Sequence, residues 1–384
     1  MVEKSFRYLI PTKIYFGNGM LSKVGKLARK HIGGNKVLIV TTAGGSMRRY
    51  GYLAKLLESL RAEGYHTIIF DKVRTNPTID VAEEGVRLFQ QEYCDLIIGL
   101  GGGSAIDVAK AIALAHASST SVRDLLHGKV KAKASVPLIA IPTTHGTGTE
   151  VDKYAVITDP EIKMKAAIVS PNAYPRIAVL DPEITKTLPP GLSAATTIDA
   201  FVHALESMVS YSSNIMTVLY AKEAIKTIVE YAPKLVEDPN NVGTRAMLLW
   251  ASMLAGIAID LSRTGILHAL EHSISAYYPD VHHGLGLAVL LKGWVKHILP
   301  LLDDEQKMLL AQTLNANINE IGDKILWLLR TLGFGLGLKD LGVDKDLFER
   351  MVDDAYRYLK VLIDNTPGKP GKDIALKVLE DSYE

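Results

Sequence analysis

The sequence predicts an α/β half built on a parallel sheet, followed by an all-helical half. Three observations predict it. Strand-like and helix-like segments alternate from about residue 36 to 144. The strand-like runs are apolar throughout, as strands covered by helices on both faces are. Beyond about residue 188, helical spacing takes over and strand signals become scarce. The division is accordingly placed between residues 1–187 and 188–384.

Taken in order, "KVLIVTT" (36–42) reads as a buried strand rich in β-branched residues. "YGYLAKLLESLRAEG" (50–64) has helical apolar spacing and a glycine stop. "HTIIFD" (66–71) is a strand, and 78–93 is a helix starting near Thr78 or Asp80. "CDLIIGLGGG" (94–103) is a strand running into glycines, and 104–117 is a helix opening on Ser104. "VPLIAIPTT" (136–144) is one more strand. The proline-bearing segment 177–194 ends the alternation. Helical patterns then cover 191–210, 215–235, 241–261, 264–277, 284–298, 305–315, 318–332 and 345–363, and "TPGKPGKD" (366–373) is a loop.

Composition narrows the class of function. Hydrophobic residues make up 48% and charged residues 22% of the chain, as in ordinary globular proteins. The net charge of +1 supplies neither a basic field for nucleic acid nor a polybasic membrane patch. No apolar run approaches the ~18 residues of a membrane span, and "MVEKSFRYLIPTKIYFGNG" has no apolar core of signal-peptide type. The single cysteine, Cys94, excludes a disulfide scaffold, a zinc finger or an iron–sulfur cluster within one chain, and lies beside an apolar strand as a buried spectator. A cytoplasmic or other reducing setting is expected.

Three loops follow strands and could meet a nucleotide. In "LIIGLGGGSAIDVAK", Gly101, Gly102 and Gly103 allow close backbone approach, and Ser104 opens a helix whose N–H groups suit a pyrophosphate. No GK[ST] follows, so this is not a Walker loop, and a dinucleotide in a Rossmann-like half is the better fit. Asp107, on the same helix, is expected to contact the cofactor. "IPTTHGTGTE" (141–150) offers the hydroxyls of Thr143, Thr144 and Thr147 to ribose or to the nicotinamide amide. "TTAGGSMRR" (41–49) carries no Asp or Glu to receive a ribose 2′-hydroxyl. Gly44 and Gly45 leave room there for a phosphate, and Ser46, Arg48 and Arg49 can bind one. NADP(H) is therefore preferred, with NAD(H) possible.

The helical half carries a concentration of metal-binding residue types. Asp199 and His203 stand four apart on one helix, so both side chains point the same way. His268 and His272 repeat that spacing, and the pair His282–His283 follows. Oxygen and nitrogen donors without sulfur suit Fe²⁺, Zn²⁺ or a similar divalent ion.

With these motifs in hand, the chain resembles the iron-containing (group III) alcohol dehydrogenases over essentially its whole length. "GGGSAIDVAK", "IPTTHGTGTE", "DAFVHALE" and "HALEH…HHGLGLA" stand in that family's order. The resemblance implies a dehydroquinate synthase-like architecture, with the metal in the cleft between a dinucleotide-binding α/β domain and a helical domain. It implies Asp199, His203 and His268 as metal ligands. For the fourth ligand, the family's usual spacing of 14 from the first histidine gives His282, whereas its H-G context gives His283 in "HGLGLA". The register of the following helix favours His283. The "GGS" followed by two basic residues is similar to the NADP-preferring, butanol-dehydrogenase-like branch; NAD-preferring branches carry an aspartate near the position of Thr42. The resemblance also implies His272 as a proton relay, Lys165 near the nicotinamide ribose, and a homodimer. Two residues depart from the pattern: Thr197, where glycine is common, and His145, where alanine is common. Both are expected to bear on substrate fit.

The expected function is hydride transfer between NADP(H) and a small primary alcohol or aldehyde, assisted by a divalent metal. The alternatives are an NAD-dependent alcohol or polyol dehydrogenase of the same family and, in a different class, a dehydroquinate-synthase-like lyase. The lyase would want a Glu/His/His ligand set, and Asp199 with His203 argues against it.

Overall fold

The computed structural model describes residues 5–384; Met1–Lys4, the start of the N-terminal stretch read above, lie outside the described residues. Among the described residues, eight strands occur: β1 (Lys13–Phe16), β2 (Lys36–Thr42), β3 (His66–Val73), β4 (Leu96–Gly101), β5 (Leu138–Pro142), β6 (Tyr154–Asp159), β7 (Met164–Val169) and β8 (Ile177–Leu180). Six form one parallel sheet in the order β1-β8-β5-β4-β2-β3. The helices around them are α1 (Val24–His31), α2 (Ser46–Arg49), α3 (Tyr52–Ala62), α4 (Ile79–Gln91), α5 (Gly103–Ser118) and α6 (Val122–Leu126).

Alternation along the central strands explains why helices cover both faces. Leu38, Val40 and Ile97 pack with Val86, Phe89 and Ile112 on one side. Val37, Ile39, Leu96 and Ile98 pack with Leu53, Leu56 and Leu60 on the other. All of these side chains are buried, so the strands read as continuous apolar runs.

Four strands differ from the sequence expectation. Ile177–Leu180, taken above as the start of the boundary segment, is instead the buried strand β8 between β1 and β5. It is only four residues long and flanked by Pro175 and Pro182, which hid it. β1 is a mostly exposed edge strand without a buried-strand signature. β6 and β7 form a separate antiparallel hairpin, turning at Lys163 with φ 52°.

The helical half comprises α7 (Pro190–Val209), α8 (Ile215–Glu237), α9 (Val242–Ser262), α10 (Ile266–Tyr277), α11 (His283–His297), α12 (Asp304–Leu314), α13 (Ile321–Thr331), α14 (Phe348–Tyr358), α15 (Lys360–Ile363) and α16 (Lys372–Glu380). The expected helix 345–363 is broken at Leu359, whose φ of −124° leaves the helical region. α16 was not expected from the sequence. α9 is long and apolar enough to cross a membrane by length and composition, but 72% of that stretch is buried, packed on α7 and α8. Asn214 and Asn241 cap α8 and α9 by accepting backbone N–H bonds, which fixes where each helix begins.

Candidate functional site

A cavity of about 790 Å³ opens where the carboxyl ends of the sheet strands face the helical half. Ligands of open parallel sheets bind at this edge. Five of the six strands of the sheet, β2, β3, β4, β5 and β8, are followed by segments that line it. After β4, Gly102, Gly103 and Ser104 line the cavity at the start of α5. No side chain caps α5, so the N–H groups of Gly103 and Ser104 remain available to an anion, while that of Ala105 donates to the Gly102 carbonyl. Gly101 shapes the turn without lining the cavity: a Cβ there would stand 2.8 Å from the Ala105 Cβ. After β5, Thr143, Thr144 and Thr147 line the cavity beside that loop. A Cβ on Gly103 would lie 2.5 Å from the Thr147 methyl, so the two loops touch at that glycine.

Asp107 also lines the cavity. One of its oxygens accepts from the Thr149 hydroxyl at 2.6 Å, and burial pushes its carboxyl up to about 6. Nearby, the buried Lys110 ammonium donates to Thr149, to the Asp152 carboxylate at 2.7 Å and to the Tyr154 carbonyl, tying α5 to the loop after β5.

The basic loop after β2 is only partly in the cavity. Gly44 and Gly45, at φ 83° and 72°, make the turn and do not line it. Ser46 and Arg49 do. Arg48 does not: its guanidinium is held 3.0 Å from the Asp71 carboxylate on β3. Arg74, just beyond β3, joins Arg49 in the lining. Sequence reasoning missed Arg74, since nothing in the chain's linear order places the end of β3 beside the loop after β2.

At the far end of the cavity, Asp199, His203, His268 and His283 bring one donor atom each within 4.8 Å of one another. From the Asp199 Oδ1, the distances are 3.6 Å to His203 Nδ1, 3.9 Å to His268 Nε2 and 3.6 Å to His283 Nε2. Asp199 Oδ1 and His268 Nε2 are buried and have no hydrogen-bond partner. Burial pushes Asp199 up to about 7, holds His203 well below its ordinary value and brings His283 down to about 4. Imidazole nitrogens and an orphaned carboxylate oxygen converging on one point are what a divalent cation requires.

Two buried carboxylates orient these histidines. Glu206 accepts from His268 Nδ1 at 2.7 Å and from the Gly265 and Leu267 N–H groups at the start of α10. Glu271 accepts from His283 Nδ1, with the Ser275 hydroxyl also donating to it. In both cases Nε2 is left with its lone pair for an ion. Lys165, delivered by β7, stands 3.3 Å from Glu271 and supplies positive charge beside it. Neither glutamate was found from the sequence: an isolated Glu on a helix reads as a solvated charge.

Two further histidines, His272 and His282, line the same cavity. His272 is buried, its Nδ1 has no partner, and burial keeps it neutral, well below its ordinary value. Its ring centre lies 5.4 Å from that of His283. His282 occupies the N-cap of α11 and does not join the four converging donors.

The comparisons with known proteins agree with this geometry. Residues 11–182 match the iron-containing alcohol dehydrogenase family, and residues 193–383 match the Fe-containing alcohol dehydrogenase family's C-terminal region. The chain is 34% identical to the long-chain primary alcohol dehydrogenase AdhA of Thermoanaerobacter ethanolicus, covering 99% of this chain and 98% of that one. It is 32% identical to NADH-dependent butanol dehydrogenase A of Clostridium acetobutylicum over 92% of this chain and 93% of that protein. Among solved structures, an archaeal halo-thermophilic Red Sea brine pool alcohol dehydrogenase, ADH/D1, superposes with a TM-score of 0.93 at 31% identity, covering both chains fully. Family membership removes the lyase alternative. The chain belongs to the iron-containing alcohol dehydrogenase family, enzymes that work on alcohols and aldehydes with a metal ion and a nicotinamide dinucleotide.

Proposed function

We propose that this enzyme transfers a hydride between NADP(H) and a small primary alcohol or aldehyde, with Asp199, His203, His268 and His283 holding one divalent ion, Fe²⁺ or Zn²⁺. The observation that carries the reading is the pair of orphaned atoms, Asp199 Oδ1 and His268 Nε2, at one end of a cavity that begins at the strand ends. An ion held there would polarise the oxygen of the alcohol or carbonyl, and the nicotinamide would take or give the hydride.

The chain's own residues do the rest. Gly102, Gly103 and Ser104 receive the pyrophosphate at the start of α5. Thr143, Thr144, Thr147 and Asp107 hold the ribose and nicotinamide part. Lys165, anchored by Glu271, faces the same part of the cavity. His272, neutral and with a free Nδ1, accepts the proton that leaves an alcohol and returns it in the reverse direction. Ile259, Leu359 and Leu362 make this end apolar, which suits an alkyl chain and excludes water. Residues 1–187 act as the dinucleotide domain and 188–384 as the metal domain, in a cytoplasmic homodimer.

Ser46, Arg49 and Arg74, with no free carboxylate among them, favour the 2′-phosphate of NADP(H). Because two relatives are by name NADH-dependent butanol dehydrogenases, NADH is the competing cofactor. Metal-loaded protein with butanal and each reduced cofactor tests both points. Oxidation of NADPH faster than NADH is expected. Equal rates would remove the cofactor preference, and no oxidation of either would overturn the reading.

A further inference from the structure

His145 and Thr197 lie 52 positions apart and touch. His145 Nε2 stands 3.2 Å from the Thr197 hydroxyl oxygen, and both side chains are buried. The Thr197 hydroxyl has one proton, which it donates to the Ser193 carbonyl at 2.8 Å. The imidazole must therefore donate to Thr197, which fixes the proton on Nε2. Neither residue lines the cavity, contrary to the expectation that they shape substrate fit.

Their neighbours do line it. The loop that carries His145 also carries Thr143, Thr144 and Thr147 on the cofactor wall. The next residue, Gly146, places its carbonyl 3.3 Å from His203 Nδ1. A Cβ on Gly146 would lie 2.9 Å from the Thr196 carbonyl and 3.0 Å from Asp199 Oδ2, so the loop backbone rests directly on the helix that bears Asp199 and His203. Two positions further on, a Cβ on Gly148 would lie 2.5 Å from the Gly256 Cα of α9. The loop thus has two glycine contacts that bring it close to the helical half, and two hydrogen bonds to α7, His145 with Thr197 and the Gly146 carbonyl with His203, that set its position along that helix.

We infer that the His145–Thr197 hydrogen bond is a positioning device that docks the threonine-rich cofactor loop on α7, so that one contact sets both the dinucleotide wall and the orientation of His203. Withdrawing the Gly146 carbonyl frees the His203 ring to turn, and moves Thr144 and Thr147 by the same displacement. The loss should therefore appear in two binding equilibria at once, which a purely local packing defect would not produce.

Thr197→Val removes the hydroxyl at nearly constant volume, and Thr197→Ser keeps it. Cobalt affinity, from competition with a chelator, and NADPH affinity, from quenching of tryptophan fluorescence, are measured on both variants and on the double variant Thr197→Val with His145→Ala. Thr197→Val should weaken both affinities about tenfold, the lower end for loss of a partner that orients a ligand histidine. Thr197→Ser should leave both within about twofold of the starting protein. The double variant should be no weaker than Thr197→Val, because the two residues act through one bond. Equal losses in the Val and Ser variants would show that packing, and not the hydrogen bond, matters, and would overturn the inference. So would loss of only one of the two affinities, or no loss at all. The inference rests on the metal and dinucleotide reading above: an unsubstituted protein that binds neither cobalt nor NADPH would overturn both, whereas one that binds both with an unaffected Thr197→Val variant overturns the inference alone.

Discussion

At the scale of single residues, adjacent positions in this chain have separate tasks, and the division follows from what each side chain meets. Arg48 and Arg49 are neighbours, yet Arg48 is held by Asp71 while Arg49 lines the cavity with Arg74. Arg49→Ala combined with Arg74→Ala should raise the NADPH KM about tenfold or more, in line with loss of charge-assisted phosphate bonds, and leave the NADH KM much less changed. Arg48→Ala should act weakly on both, because an exposed ion pair contributes at most about 1 kcal/mol. Steady-state kinetics with both cofactors decides it; equal effects of the double variant on the two cofactors would exclude 2′-phosphate recognition. His282 and His283 divide in the same way. Elemental analysis should find metal lost from His283→Ala and retained by His282→Ala, and the reverse order would move the fourth ligand by one residue. His145 bears on acid stability. Burial, with the Arg245 charge adding to it, holds it at about 3 in the folded protein, whereas an unfolded histidine titrates near 6.5. The unfolded chain binds the extra proton, so the associated stability is complete above about pH 6.5 and is lost as pH falls toward 3. Between about pH 5.5 and 4, the stability of the protein relative to His145→Gln should fall by about 1.4 kcal/mol per pH unit, measured by urea unfolding. A pH-independent difference would mean that the folded protein accepts the proton.

At the scale of elements, the start of α11 shows why a glycine follows the ligand histidine. A Cβ on Gly284 would lie 2.2 Å from the Ala195 carbonyl of α7, and one on Gly286 would lie 2.9 Å from the Glu271 Cγ. The two glycines let α11 approach α7 and α10 closely enough for His283 to meet both Asp199 and Glu271. The H-G context was legible in the sequence; the reason for it was not, because it lies in backbone contact between Gly284 and Ala195, 89 residues apart. The same limit applies elsewhere. The apolar strands β2 to β5 and the i, i+4 pairs on α7 and α10 declare themselves by composition and period. β8 and the β6–β7 hairpin do not: β8 is only four residues long, and β6 and β7 gain meaning only from pairing with each other. Lys165 reaches Glu271 only because that hairpin packs against α10. Gly284→Ala should push α11 away from α7, costing about 1–3 kcal/mol as overpacking does, and should lower metal affinity at the same time. Thermal unfolding together with chelator competition measures both. A stable variant with unchanged metal affinity would show that the approach of the two helices is not what sets His283.

At the scale of the whole molecule, the four converging donors come from three helices: Asp199 and His203 from α7, His268 from α10 and His283 from α11. Without an ion, the fold keeps a buried carboxylate and imidazole nitrogen unpartnered and close together. Such groups are costly to bury. The burial penalty that pushes Asp199 up to about 7 is relieved when a cation supplies the missing charge. Binding to the folded state alone stabilises by mass action, about 2.7 kcal/mol when the free ion is at a hundred times its Kd. Loading should therefore raise the melting temperature, and a chelator should reverse the rise. Asp199→Ala should melt at the same temperature with and without added ion, because it removes the carboxylate that the three imidazoles face. It should also be no less stable than the ion-free unsubstituted protein, since the orphaned oxygen goes with the side chain. An Asp199→Ala protein that melts well below the ion-free parent would instead show that the carboxylate supports the fold through contacts of its own, and a full ion-dependent rise in that variant would show that the cation is held elsewhere.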